Sequence, residues 1–215
     1  MRMKSKLFIA LVLAVSPTWA HAVEPPVKAK IRLLSIGDAP RQVALTSNGV
    51  STVVDLPEST RSETIDYQGP ALFDLREQGG AGRTLAVELP RITSQLLVVL
   101  LPGSLAAKAL VIDDGDAAFP KGTVRFSNLA LTGLDIAVGD ETASVEAGAT
   151  TVLEFPKNKP AAIVKISGQG GGEIIFSNNW AITPGIRTLV LILPPETGNG
   201  RPRVLRLPEI LPQKR

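Results

Sequence analysis

Asp113-Asp114-Gly115-Asp116 is the densest acidic cluster in the chain. Carboxylate oxygens gathered around a glycine turn are the ligand type that Ca²⁺ prefers. Asp113, Asp114 and Asp116 are therefore the candidate metal ligands, and a weak set. An EF-hand loop would need a Glu at its twelfth position; counted from Asp113 that position is Val124, and from Asp114 it is Arg125. The bland alternative is a solvated turn, and no cofactor is expected. Gly168-Gln169-Gly170-Gly171-Gly172 has the look of a phosphate-cradling loop. A Walker A loop would end in Gly-Lys-Ser/Thr, whereas Glu173 follows here, and a dinucleotide loop would open a helix, whereas Ile174-Ile175-Phe176 reads as a strand. A hairpin turn is expected instead. Trp180, with Asn179 beside it, is the candidate contact for a sugar ring or a protein partner; the competing role for a lone Trp is to plug a core or an interface. Arg201, Arg203 and Arg206 are the candidate contacts at the basic C-terminal end.

Missing residue types narrow the chemistry further. The chain has no Cys and one His. That His lies in Ala20-His21-Ala22, an A-x-A cleavage pattern, behind a positive segment (Arg2, Lys4, Lys6) and a short apolar run from Leu7 to Val15. Residues 1–22 are expected to be a signal peptide cleaved after Ala22, which sends the mature chain to the periplasm or outside the cell. Cleavage takes away the His, both Met, Trp19 and three of the 23 Lys and Arg, leaving 20 basic residues against 20 acidic ones. Without His or Cys, Ser-His-Asp and thiol catalysis, haem ligation by His, most zinc sites, disulfides and a lipobox anchor are excluded. Gly-x-Ser-x-Gly and Ser-x-x-Lys are absent as well. Two carboxylates, as in glycosidases, are the route left open, and no local signature marks such a pair. The expectation is a protein that is not an enzyme. A formally neutral, exported chain also argues against nucleic acid as partner. The most apolar mature run, Leu96 to Leu101, stops at Pro102-Gly103 and is too short to cross a bilayer, so no transmembrane segment is expected after cleavage.

The elements that must position these residues read as strands. Short apolar runs recur between Gly, Pro, Asn and Asp, and several alternate with period two, as in Thr52-Val53-Val54-Asp55-Leu56. No stretch keeps a helical period. Fifteen strands are expected in two sets, 30–101 and 109–193, which points to an all-β sandwich architecture.

The two sets look like copies. Ile31-Arg32-Leu33 precedes Val124-Arg125-Phe126 by 93 positions, and Val43-Ala44-Leu45 precedes Ile136-Ala137-Val138 by the same 93. Pro70-Ala71 precedes Pro160-Ala161 by 90, and Leu97-Val98-Val99-Leu100-Leu101-Pro102 precedes Leu189-Val190-Leu191-Ile192-Leu193-Pro194 by 92. A period of this length suits one sandwich of seven strands. The expected organisation is two tandem antiparallel β-sandwich domains from an internal duplication, at 27–103 and 121–195. Residues 104–120 form a linker or an edge strand of the second domain, and 196–215 a basic Pro-rich tail in which Val204-Leu205-Arg206-Leu207 could add a strand.

Lys30-Ile31-Arg32-Leu33-Leu34-Ser35 followed by Asp38 to Leu45 resembles the opening of an Ig-like domain of unknown function, often tandem, in secreted and cell-envelope bacterial proteins. Phe119 to Leu129 with Leu134 to Val138 resembles the same opening in the second copy. The resemblance implies an Ig-like envelope sandwich and carries over no functional residues. A rival resemblance is to pilus-assembly chaperones, two Ig-like domains behind a signal peptide; Arg32 and Lys121 invite comparison with that family's basic pair, but its signature is missing. The expected function is an exported, non-catalytic module binding protein or polysaccharide in the bacterial envelope. The alternative is a periplasmic chaperone or assembly factor acting through an edge strand.

Overall fold

The computed structural model describes residues 25–79, 82–91, 95–103, 109–196 and 200–210. The signal peptide expected at 1–22 lies outside them, as do residues 104–108 of the expected linker and 211–215 of the expected tail. The described residues form strands and no helix. The first eight strands are β1 (Val27–Ser35), β2 (Gln42–Ser47), β3 (Val50–Asp55), β4 (Ile65–Gly69), β5 (Leu72–Glu77), β6 (Thr84–Glu88), β7 (Gln95–Leu100) and β8 (Ala109–Asp113). The second eight are β9 (Thr123–Asn128), β10 (Leu134–Val138), β11 (Glu141–Val145), β12 (Thr150–Glu154), β13 (Ala161–Gly168), β14 (Ile174–Ala181), β15 (Ile186–Leu193) and β16 (Arg203–Ile210).

These strands make two tandem β-sandwiches, and the second repeats the first strand for strand. The first pairs a sheet of order β4-β1-β7-β8 with one of order β3-β2-β5-β6; the second pairs β12-β9-β15-β16 with β11-β10-β13-β14. Pairing is antiparallel except for one parallel pair in each unit, β1 with β7 and β9 with β15. Each unit thus has eight strands, one more than the repeat length suggests. The extra strand corrects two boundaries. Within the expected linker, β8 pairs with β7 along Leu96–Leu100 and completes the first sandwich, not the second. Within the expected tail, β16 pairs with β15 over eight positions, Ile186↔Ile210 to Leu193↔Arg203. Pro208 is tolerated there because β16 is an edge strand, where a missing N–H breaks no ladder. The strand expected at Ile174-Ile175-Phe176 runs on to Ala181, so Asn178-Asn179-Trp180 lies inside β14.

Three cores result, and period two sorts residues among them. Ile31, Leu33, Leu96, Val98 and Leu100 face the first sandwich's interior. Val124, Phe126, Val190 and Ile192 face the second's. The alternate residues of the same strands, Leu34, Leu97 and Val99 with Leu189, Leu191 and Leu193, meet in a third cluster that joins sheet β4-β1-β7-β8 to sheet β12-β9-β15-β16. Strands β7 and β15 are therefore buried on both faces, which is why they read as unbroken apolar runs.

Candidate functional site

The polar centre of the molecule lies in the joint between the sandwiches, and the duplication builds it. Arg32 in β1 and Arg125 in β9 are 93 residues apart, the spacing of the repeat. Each stands between two side chains of its own core, Ile31 and Leu33 or Val124 and Phe126, so strand alternation aims it at the other sandwich. The acids repeat too. The Asp114 N–H, just past β8, donates to the Gln95 carbonyl at 2.9 Å, and Glu209 in β16 stands opposite Arg187. Gln95 and Arg187 are 92 apart, the offset of the β7 and β15 anchors.

Arginine ties the two acids together. Arg32 donates to Asp114 (Nε–Oδ2 3.1 Å) and also to Glu209. Arg187, 1% exposed, donates from Nε to Glu209 Oε2 at 2.8 Å and from Nη1 to the carbonyls of Asp114 and Phe119 at 3.0 and 3.1 Å. Its Nη2 lies 3.1 Å from Asp114 Oδ1, an ion contact off the hydrogen-bond line. Arg61 places Nη2 3.3 Å from Glu209 Oε2. Arg125 donates to the carbonyls of Asp113 and Ala118 at 2.5 and 2.6 Å. Two guanidinium groups lie over the Phe119 ring, Arg125 at 4.7 Å and Arg187 at 4.9 Å from its centroid. Carbonyls and an aromatic face thus supply the acceptors that two carboxylates cannot.

Burial pushes the Glu209 carboxyl up, but hydrogen bonds from Arg32 and Arg187 and the charge of Arg61 outweigh it and hold the pKa below the usual carboxylate range. Burial would lower the Arg32 pKa, and Glu209 and Asp114 more than reverse that. Burial lowers Arg61 and Arg125. A carboxyl depressed in the fold contributes stability that is complete above its unfolded pKa, about 4.3 for Glu, and is lost as pH falls through the folded value. The melting temperature is expected to hold from neutrality to about pH 5 and to fall by several degrees below about pH 4. Glu209→Gln should flatten that acid limb while lowering the neutral melting temperature, which scanning calorimetry across pH can read.

The metal candidates disperse. Asp114 is 3% exposed and taken up by arginine. Asp113 Oδ1 accepts from the Gly115 N–H at 3.0 Å, and Asp116 is exposed to solvent. No group of three or more potential ligands forms among the described residues. Of the three acids, Asp114 alone joins the ionic cluster, its carboxylate engaged by Arg32 and Arg187.

Trp180 is a core residue, 3% exposed, in edge contact with Phe176 at 5.9 Å between centroids. Arg206 covers its remaining face at 4.5 Å. The duplication explains its size. Pairing registers place Phe73 opposite Val87 in the first sandwich and Ala162 opposite Trp180 at the equivalent place in the second. A large–small pair has become a small–large pair. The same registers align Ala161 with Leu72, so the Pro-Ala anchor of the sequence comparison is one residue out. Asn179 is exposed on β14, opposite Ile163. Arg201 pairs with Glu173, and Arg203 with Glu196 at 2.5 Å, both at the surface. The structure therefore brings Trp180 and Arg206 together and leaves Arg201 and Arg203 in separate ion pairs.

The glycine loop turns β13 into β14, and it does hold an anion, its own. Gly170 and Gly171 take φ of 74° and 83°, which directs consecutive N–H groups at Asp135 Oδ2, 2.8 and 3.4 Å away. The Ser144 hydroxyl and these amides hold the Asp135 pKa below the ordinary range.

No helix among the described residues is long and apolar enough to cross a membrane. The sequence matches no protein-family model and no curated protein.

Reasoning from sequence missed the partnership of Arg32, Arg187, Asp114 and Glu209. A signal existed: an Arg at the same place in both repeat openings, each in the middle of an apolar strand.

Proposed function

We propose that the chain is an exported, non-catalytic β-sandwich module that binds a protein partner in the bacterial envelope. The observation that carries this reading is the state of the two acids in the joint, Asp114 buried and Glu209 partly buried. Asp114 and Glu209 form the carboxylate pair between the sandwiches; Arg32 and Arg187 neutralise Asp114, and Arg32, Arg61 and Arg187 neutralise Glu209. A glycosidase acid must be free to hold and deliver a proton, which such pairing opposes. Protein is favoured over polysaccharide because Trp180, the best stacking platform in the mature sequence, has its face under Arg206. Export rests on the leader.

The test uses the mature chain. Ester, glycoside and peptide substrates should not be turned over, and titration with envelope polysaccharides should leave Trp180 fluorescence unchanged. Crosslinking in intact envelopes should yield one reproducible protein that rebinds when purified. Turnover of any of these substrates, or saturable polysaccharide binding, would overturn the proposal.

A further inference from the structure

Sheets in open sandwiches have edges, and natural edges are guarded by charge, proline or bulges. The edge strands here are β3, β4, β6, β8, β11, β12, β14 and β16. Seven carry at least one Asp, Glu or Arg; β14, Ile-Ile-Phe-Ser-Asn-Asn-Trp-Ala, carries neither a charge nor a proline. It is also one of the two longest edge strands, at eight residues. A bulge at Ile166/Ser167 interrupts its ladder with β13 near the start, so the regular part runs from Phe176 to Ala181.

That regular part is a near palindrome. Phe176-Ser177-Asn178-Asn179-Trp180 reads aromatic, polar, polar, polar, aromatic about Asn178. The faces agree with the same centre. Phe176, Asn178 and Trp180 stand opposite Ile166, Val164 and Ala162, which face the core, whereas Ser177 and Asn179 stand opposite Lys165 and Ile163 on the outer face. An antiparallel partner must set residues of like facing against each other. A twofold axis through Asn178 meets that condition, and Phe176 then falls opposite Trp180 of the second strand, Ser177 opposite Asn179, and Asn178 opposite itself. Aromatic cross-strand pairs are favourable, and an uncharged strand meets its own copy without like-charge repulsion.

We infer that two copies of this chain pair antiparallel through β14, joining β11-β10-β13-β14 of each into one continuous eight-stranded sheet. The inference deepens the proposed function, since it treats β14 as a protein-binding edge and names its occupant as a second copy.

A single strand pair is smaller than a standard interface, so dissociation is expected at about 10–100 µM. Sedimentation of the mature chain should show a concentration-dependent monomer–dimer equilibrium. Two double variants test the register. Ser177→Lys/Asn179→Lys and Ser177→Glu/Asn179→Glu each set like charges across the axis, and each should sediment as a monomer with unchanged circular dichroism. Mixed one to one, they should form a heterodimer at least as tight as the wild-type dimer. Because the chain has no Cys, an Asn178→Cys variant adds a clean check: a short bis-maleimide should link two chains, while Ser51→Cys on β3 should not be linked. A wild-type chain that stays monomeric at about 300 µM, or a dimer indifferent to both double variants, would overturn the inference. So would a monomer whose β14 instead takes up a strand of another envelope protein. Loss of the dimer with partner crosslinking retained leaves the proposed function standing; loss of partner crosslinking in a dimeric chain removes the proposed function alone.

Discussion

Asp114→Ala should cost about 3–5 kcal/mol of stability, far more than a surface ion pair would. The side chains of Asp114 and Arg187 are each 2% exposed, and Arg32 shares the same carboxylate. Removing the acid leaves two guanidinium groups in a joint walled by leucine, with Glu209 alone to answer Arg32, Arg61 and Arg187. Most of the loss is the uncompensated burial of positive charge, not the attraction forgone. This explanation makes a second claim. Arg32→Met combined with Asp114→Leu removes a charge of each sign and fills the space with carbon, so the double variant should be more stable than Asp114→Ala alone. Urea unfolding monitored by circular dichroism measures both. If Asp114→Ala costs under about 1 kcal/mol, the value of an exposed pair, the cluster is wetter than its burial implies. If the double variant is worse than the single, the charges contribute more than mutual cancellation.

The β architecture was legible in the sequence because strand formation depends on local pattern: alternation in Thr52–Leu56, β-branched runs, turn residues between. The duplication was legible because Arg32 and Arg125 sit in matching triplets. What escaped were features set by tertiary contact. Leu97 and Val99 signal burial as clearly as Leu96 and Val98 do, but nothing local says which pair faces the other sandwich. Strand β16 was obscured by composition: two Arg, a Glu and a Pro look like a solvated tail, although Leu205 and Leu207 pack into the joint and Glu209 closes the ion cluster. Arg32 reaches Asp114 across 82 residues and Glu209 across 177, separations that no motif spans. The acidic run was therefore read for the ligand it could bind from solvent. The fold supplies arginine instead, which is the commoner solution to a carboxylate that cannot stay hydrated.

Trp180→Ala should cost about 3–5 kcal/mol, through lost transfer energy and the cavity left in the core of the second sandwich. The duplication turns this ordinary core truncation into a sharper test. Position 180 in the second sandwich corresponds to Val87 in the first, and position 162 to Phe73. If the two sandwiches descend from one packing scheme, the first repeat's solution should work in the second. Trp180→Val alone opens a void, and Ala162→Phe alone crowds a filled core at a cost of about 1–3 kcal/mol. Combined, they rebuild the Phe–Val pair of the first repeat, and the double variant should recover at least about 1 kcal/mol relative to the sum of the single losses. Recovery should be incomplete, because Arg206 would then lie over empty space where the indole face was. Trp180 is the only Trp after residue 22, so unfolding of a chain without residues 1–22 has to be followed by circular dichroism, in dilute protein. Strictly additive losses would mean that the surroundings of Trp180, Phe176 among them, have diverged too far for the older pair to fit. A coupling energy of the expected size would show that the exchange of large and small residues across β13 and β14 was compensated within one pair of positions.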